Sequence, residues 1–234
     1  MQLIEIEKYF KGEFLTEPEK IKKFFLNIKA YLFDWDGVFN NGVKNENGSS
    51  SFSEIDAMGT NLLRFNYFLR NETVPVIAIL SGEKNADAFG LAKREHFNTA
   101  YYKINNKTDA FHHFCSSNNL LPEEVAYFFD DVLDFSVAAI CGLRILIGRD
   151  ANPLLLEYAK QNKLADYITF NDGAKHAVRE SIELLTGLSG VYEETIANRV
   201  RFTDNYKKYL EQRNRPNPEF YTLIDSIITK QNPE

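Results

Sequence analysis

Cysteine is scarce in this chain: two in 234 residues. Cys115 and Cys141 both stand in apolar contexts, which excludes a disulfide framework and a thiolate metal centre. Long hydrophobic runs are missing too, and no apolar stretch approaches the roughly 20 residues needed to span a bilayer. The first residues, Met1-Gln2-Leu3-Ile4-Glu5, lack the basic and apolar regions of a signal peptide, so a cytoplasmic location is expected. There is no excess of positive charge. The 27 Lys and Arg against 33 Asp and Glu leave a net charge of -6, with the basic residues scattered, so nucleic acid is not an expected partner. Internal repeats and low-complexity tracts are absent. What remains is a chain of ordinary hydrophobic and charged content, long enough to bury one full core with additions.

From about residue 29 to about residue 187, apolar strand-like runs alternate with segments of helical spacing. The pattern predicts strands over Ala30–Trp35, Val74–Leu80, Thr99–Tyr102, Val125–Phe129, Leu143–Ile147 and Tyr167–Phe170. It predicts helices over Asn61–Leu69, Ala86–Glu95, Thr108–Asn118, Leu133–Ala139 and Leu154–Gln161. This alternation implies an α/β fold with a doubly wound, mostly parallel sheet. One connection breaks the rhythm. The stretch from Phe39 to Ile55 is rich in Asn, Gly and Ser, with Asn47-Gly48 at its middle, and reads as a β-hairpin flap after the first strand. Residues 1–28 read as a partly helical N-terminal extension. Residues 188–234 read as a helical C-terminal extension, with Tyr192, Ile196, Val200, Tyr206 and Leu210 at helical spacing. A break from Asn214 to Pro218 precedes a short final helix.

The chemistry concentrates at predicted strand ends. The first apolar run stops at Asp34-Trp35-Asp36-Gly37, and residues two apart on an extended chain point the same way. Two carboxylates in one small space call for a cation or a division of labour. Ser81-Gly82 ends the second strand, Lys107 starts the helix after the third, and Asp130-Asp131 with Asp134 follows the fourth. Alone, Ser81 reads as a helix cap, Lys107 as a solvated lysine and Asp130-Asp131 as a first-turn cap. In a doubly wound sheet, however, these ends share one edge. Several carboxylates, one ammonium, one hydroxyl and helix-start N–H groups together describe a phosphate site built around magnesium.

Asp34-x-Asp36-Gly37-Val38, Ser81-Gly82, Lys107 and Asp130-Asp131-x-x-Asp134 resemble, in order, the four motifs of the haloacid-dehalogenase-like phosphohydrolases, over residues about 29–187. The resemblance implies Asp34 as the nucleophile that forms an aspartyl-phosphate, and Asp36 as general acid and base. It implies Ser81 and Lys107 as holders of the phosphoryl oxygens. It also implies Mg2+ held by the Asp34 carboxylate, the Asp36 backbone carbonyl and Asp130, supported by Asp131 and Asp134.

Neither gap between motifs holds a large cap domain. The flap, the run Phe52 to Gly59, the run Leu121 to Tyr127 and Ala177-Val178-Arg179-Glu180 resemble the 3-deoxy-octulosonate 8-phosphate phosphatase family. That resemblance implies a homotetramer whose flaps complete neighbouring sites, and a small phosphorylated sugar acid as substrate. Ser81-Gly82-Glu83-Lys84 is more similar to the nonulosonate 9-phosphate phosphatases, which implies Gly82, Glu83 and Lys84 as substrate-binding. In this reading Lys84, Lys93 or Arg94 would pair with a substrate carboxylate, and Lys175 and His176 are further candidate contacts. Phe129 stands where the family has glycine, so its bulk is expected to crowd the site. Two alternatives stand beside the enzyme reading: a non-catalytic oligomerisation or regulatory module of the same fold, and an open-site phosphatase acting on a protein.

Overall fold

The computed structural model describes residues 3–233. The strands are β1 (Glu13–Phe14), β2 (Ala30–Phe33), β3 (Val76–Leu80), β4 (Thr99–Tyr102), β5 (Val125–Phe129), β6 (Leu143–Leu146), β7 (Tyr167–Ile168), β8 (Glu219–Ile224) and β9 (Ile227–Lys230). The helices are α1 (Pro18–Asn27), α2 (Glu54–Asn71), α3 (Ala86–Glu95), α4 (Lys107–Ser117), α5 (Phe135–Ala138), α6 (Pro153–Gln161), α7 (Ala177–Leu188), α8 (Tyr192–Arg201) and α9 (Asp204–Arg213).

One nine-stranded sheet runs in the order β1-β7-β6-β5-β2-β3-β4-β8-β9. The seven inner strands are parallel, and β1 and β9 close the edges antiparallel. Alternation along each strand divides the apolar side chains between two faces. Tyr31 and Phe33 of β2 join Phe25, Leu63, Leu91 and Leu185 from α1, α2, α3 and α7. Ala30 and Leu32 face the opposite way, toward Phe111, Phe114, Val137 and Ala159 from α4, α5 and α6. Helices therefore cover both faces, as a parallel sheet requires. The chain winds outward through β3 and β4, then returns to place β5 on the other side of β2. That reversal puts the switch point, where open α/β sheets take ligands, between the carboxyl ends of β2 and β5.

Two expectations need correction. The stretch from Phe39 to Ile55 forms a turn but no strands. Its asparagine side chains take the N–H groups that a ladder would use: Asn40 Oδ1 accepts from Gly42 N at 2.8 Å, and Asn45 Oδ1 accepts from Asn47 N and Ser49 N at 3.0 Å each. Two backbone bonds at the tip, Asn45 N to Ser49 O at 2.7 Å and Gly48 N to Asn45 O at 2.9 Å, close the turn without a ladder beyond it. The flap is thus an irregular loop beside the switch point.

The residues after Pro218 differ as well. Instead of a short final helix they form β8 and β9, joined by Asp225 and Ser226 with φ of 47° and 63°. Positive φ at both central residues is the two-residue hairpin turn whose twist suits flanking strands. Phe220 and Thr222 alternate into the core, a period of two. The C-terminal helices are fastened by buried polar contacts as well as by packing of Tyr206 and Tyr209 on Phe65 and Phe68. Arg64 of α2 donates to the carbonyls of Glu95 at 2.5 Å, His96 at 3.2 Å and Arg213 at 3.4 Å. Those carbonyls end α3 and α9, so one buried guanidinium satisfies two helix C-termini.

Candidate active site

Asp34 follows β2 directly, and its backbone N–H donates to Phe128 O of β5 at 2.9 Å, so its position is fixed by the two strands that flank the switch point. Its side chain is buried. Lys107, the first residue of α4, reaches back to donate to Asp34 Oδ1 at 2.7 Å and to Asp134 Oδ1 at 2.5 Å. Tyr127 of β5 donates its hydroxyl to the same Asp134 oxygen. Asp34, Asp130 and Asp134 each bring one oxygen within 4.8 Å of the others. Burial pushes the Asp34 carboxyl up to about 6, against the pull of Lys107 and helped by Asp134. Burial pushes Asp130 up to about 8, with Asp34 adding and Arg149 opposing. Although burial works against its charge, Asp34 and Asp134 hold the Lys107 ammonium above the usual lysine range.

Such a set fits a hard divalent cation. It is all carboxylate oxygen, it is buried, and its negative charge exceeds what Lys107 and Arg149 supply. Gly37 makes the close approach possible. Its φ is +86°, and a Cβ there would lie 1.9 Å from Asp130 Oδ2 and 2.3 Å from Arg149 Nη2. Asp36 leaves the cluster and points its carboxylate to the flap. Lys44 donates to Oδ2 at 2.5 Å and the Ser50 hydroxyl donates to Oδ1.

A cavity of about 400 Å³ is lined by Asp34, Asp36, Ser81, Gly82, Glu83 and Lys107, and by Asp130, Asp131, Asp134 and Arg149. The structure therefore brings together every residue that the sequence assigned to catalysis or metal, but with a different division among the acids. Asp134 joins the central cluster. Asp131 instead caps the turn after β5, accepting from Val132 N at 2.7 Å.

Of the substrate-binding candidates, Gly82 and Glu83 line the cavity and Lys84 does not. Lys84 borders a separate depression with Tyr102, Lys103 and Thr222. Lys93 lies over the Phe220 ring and Arg94 pairs with Glu54 at 2.8 Å. Lys175 pairs with Asp172 at 3.2 Å, and His176 sits 3.4 Å from Asp56. Phe129 does not crowd the site. It is buried on the α4 and α5 face, stacked on Tyr127 with ring centroids 5.3 Å apart. Glu180 is a fastener, accepting from Tyr167 Oη at 2.7 Å, Phe170 N at 2.9 Å and Asn171 N at 2.8 Å.

Three contributors escaped the sequence reading. Arg149 donates to Asp130 Oδ2 at 2.5 Å; its signal was a Gly-Arg pair just past β6, at the same sheet edge. Lys44 and Ser50 sit in the flap, where no motif marked them.

No family model matches the chain. Comparison with curated proteins finds 31% identity over 172 residues with the 3-deoxy-D-manno-octulosonate 8-phosphate phosphatase KdsC of Escherichia coli K12, covering 72% of this chain and 84% of that protein. Among solved structures, a HAD superfamily (subfamily III A) hydrolase from Legionella pneumophila superposes with a TM-score of 0.65 at 25% identity, over 78% of this chain and 95% of the other. The Moraxella catarrhalis 3-deoxy-D-manno-octulosonate 8-phosphate phosphatase, solved with magnesium, phosphate and KDO, shares the fold with a TM-score of 0.63 at 22% identity, over 77% and 98% of the two chains. The parallel sheet, the motif order and the cavity without a large cap agree with these likenesses: the chain belongs to the 3-deoxy-D-manno-octulosonate 8-phosphate phosphatase family of haloacid-dehalogenase-like proteins, and is a phosphoric monoester hydrolase.

Proposed function

We propose that this chain is a magnesium-dependent phosphatase of a small sugar-acid phosphate, an eight-carbon 3-deoxy-octulosonate 8-phosphate or a nine-carbon nonulosonate 9-phosphate. The observation that carries the reading is the convergence of Asp34, Asp36, Ser81, Lys107, Asp130 and Asp134 on one cavity of ligand size. Asp34 attacks phosphorus in line and carries the phosphoryl group as an aspartyl-phosphate. Lys107 keeps Asp34 ionised and offsets negative charge on the transferring group. Asp36 gives a proton to the leaving oxygen and then takes one from the hydrolytic water. Ser81 sits with Gly82 at the end of β3, where a hydroxyl and backbone N–H groups hold phosphoryl oxygens. Asp34, Asp130 and Asp134 would hold the magnesium, together with the Asp36 carbonyl; bound there it supplies Lewis-acid polarisation of the phosphoryl oxygens.

On the substrate side, Glu83 lines the cavity and can accept from sugar hydroxyls. The KdsC relatives act, by name, on the eight-carbon acid, whereas Gly82-Glu83-Lys84 favours the nine-carbon one. A homotetramer in which flaps complete neighbouring sites is part of the proposal. Among the described residues no helix is long and apolar enough to cross a membrane. Phe129, which with the C-terminal extension was the ground for the non-catalytic alternative, packs in the core instead.

Phosphate release from eight- and nine-carbon keto-acid phosphates, with magnesium and with chelator, tests the proposal. Magnesium-dependent release that Asp34→Asn abolishes is expected. No release from any of these esters, or release undiminished in Asp34→Asn, contradicts it.

A further inference from the structure

The hydrogen bonds around Asp36 have a direction that the chain enforces from α3. Asn85 is the N-cap of α3, and its Oδ1 accepts from Asp87 N at 3.1 Å and Ala88 N at 3.3 Å. That cap fixes which end of the amide faces the helix. The Nδ2 end is then aimed at Ser50 Oγ, 2.7 Å away. An amide N–H only donates, so the Ser50 hydroxyl must accept there. Its single proton remains for Asp36 Oδ1, the contact observed. Ser50 and Asn85 are each 1% exposed, so water offers no competing partner. The same flap residue is pinned through its carbonyl, which accepts from Trp35 Nε1 at 3.1 Å. Lys44, from the more exposed arm of the flap, holds Oδ2.

We propose that Asn85 and Ser50 are positioning residues for the acid–base carboxylate. The chain from the α3 N-terminus through Asn85 and Ser50 anchors Asp36 Oδ1, so that proton transfer to the leaving oxygen, and later from water, runs through Oδ2, from which the partly exposed Lys44 must swing away when substrate enters. Ser50 keeps its own proton throughout. The flap thus serves the chemistry from within its own subunit, and Ser50 couples it to the helix that begins just after Ser81-Gly82. This inference rests on the phosphatase reading.

The test exploits leaving groups. An alkyl ester needs its departing alkoxide protonated, whereas p-nitrophenolate leaves without an acid. Asn85→Asp keeps the cap oxygen and replaces the N–H donor with an acceptor, so the Ser50 proton turns away from Asp36. We expect it to lower kcat on an alkyl monoester (3-deoxy-D-manno-octulosonate 8-phosphate, or glycerol 3-phosphate as the generic case) about tenfold with KM little changed, a fraction of the full worth of a general acid. The first-turnover burst of p-nitrophenolate stays within about twofold of wild type, because that step needs no proton donor. Ser50→Ala repeats the pattern, and Ser50→Thr, which keeps the hydroxyl, restores most of the rate. Asn85→Asp buries a carboxylate and lowers the unfolding temperature, so the retained p-nitrophenolate burst, which an unfolded or distorted site would lose, is what separates positioning from structure. Equal loss on both esters, or no loss on the alkyl ester, overturns the relay. A wild-type protein that turns over neither ester overturns the phosphatase reading itself.

Discussion

Replacing Asp34 by asparagine removes one of three carboxylates whose oxygens lie within 4.8 Å of one another. At an effective dielectric near 20, two like charges at that separation repel by about 3.5 kcal/mol, so above about pH 8, where Asp130 is ionised as well, Asp34 carries about 7 kcal/mol of repulsion from Asp130 and Asp134. Against this, its 2.7 Å pairing with Lys107 returns about 6 kcal/mol on the same scale. The Coulomb balance is close to zero, and burial of the charge remains as an uncompensated cost. Lys107 is not left alone by the change, because Asp134 stays 2.5 Å away. In chelator at about pH 8.5, Asp34→Asn is therefore expected to unfold at the same temperature as wild type or up to roughly 5 °C higher, as about 1–2 kcal/mol implies for a chain of this size. It also loses all turnover and most of the rise in melting temperature that magnesium gives wild type. Calorimetry with and without magnesium, beside a phosphate-release assay, reads all three effects. A loss of more than about 3 kcal/mol in chelator, the usual result of breaking a buried pair, would refute the reasoning and make Asp34–Lys107 a structural ion pair.

Stability in chelator should fall as pH rises from about 4 toward 8. Asp34 and Asp130 are both held above their ordinary values by burial, so the folded state binds more protons than the unfolded chain in that window; magnesium should flatten the curve in a pH series of melting temperatures. Gly37→Ala forces a Cβ against Asp130 and Arg149 at positive φ, and should cost about 1–3 kcal/mol of stability. It should also cost about a hundredfold in kcat, checked by denaturant titration and steady-state kinetics. Arg64→Met leaves the carbonyls of Glu95, His96 and Arg213 without their buried donor and should lower unfolding free energy by about 3 kcal/mol, measured in urea; a change under 1 kcal/mol would show that water replaces it.

Much of this architecture was legible because two signals reinforce each other. Apolar runs such as Val125–Phe129 and Thr99–Tyr102 end where the strands end, since a parallel strand buried on both faces stays apolar along its length. The site was legible because the topology delivers strand ends to one edge, which turns a scattered set of Asp, Ser and Lys into a cluster. The flap was misread because Asn-Gly signals a turn, while the arms' own asparagines decide whether a ladder can form. β8 was missed because Glu219–Ile224 alternates over a short run, and its strand character depends on docking beside β4, distant in sequence. Arg149, Lys44 and Ser50 were missed for the same reason. Their roles exist only through contact with Asp130 and Asp36; only Arg149, in a Gly-Arg pair past β6, left a local trace.

The central claim, that Asp34 is phosphorylated during turnover, is tested most directly by rapid acid quench with a ³²P-labelled ester, using Asp36→Asn to slow the second step. Acid-stable, hydroxylamine-labile label is expected in the peptide containing Asp34, and none in Asp34→Asn. Phosphate released over the first turnovers with no label on that peptide would contradict it.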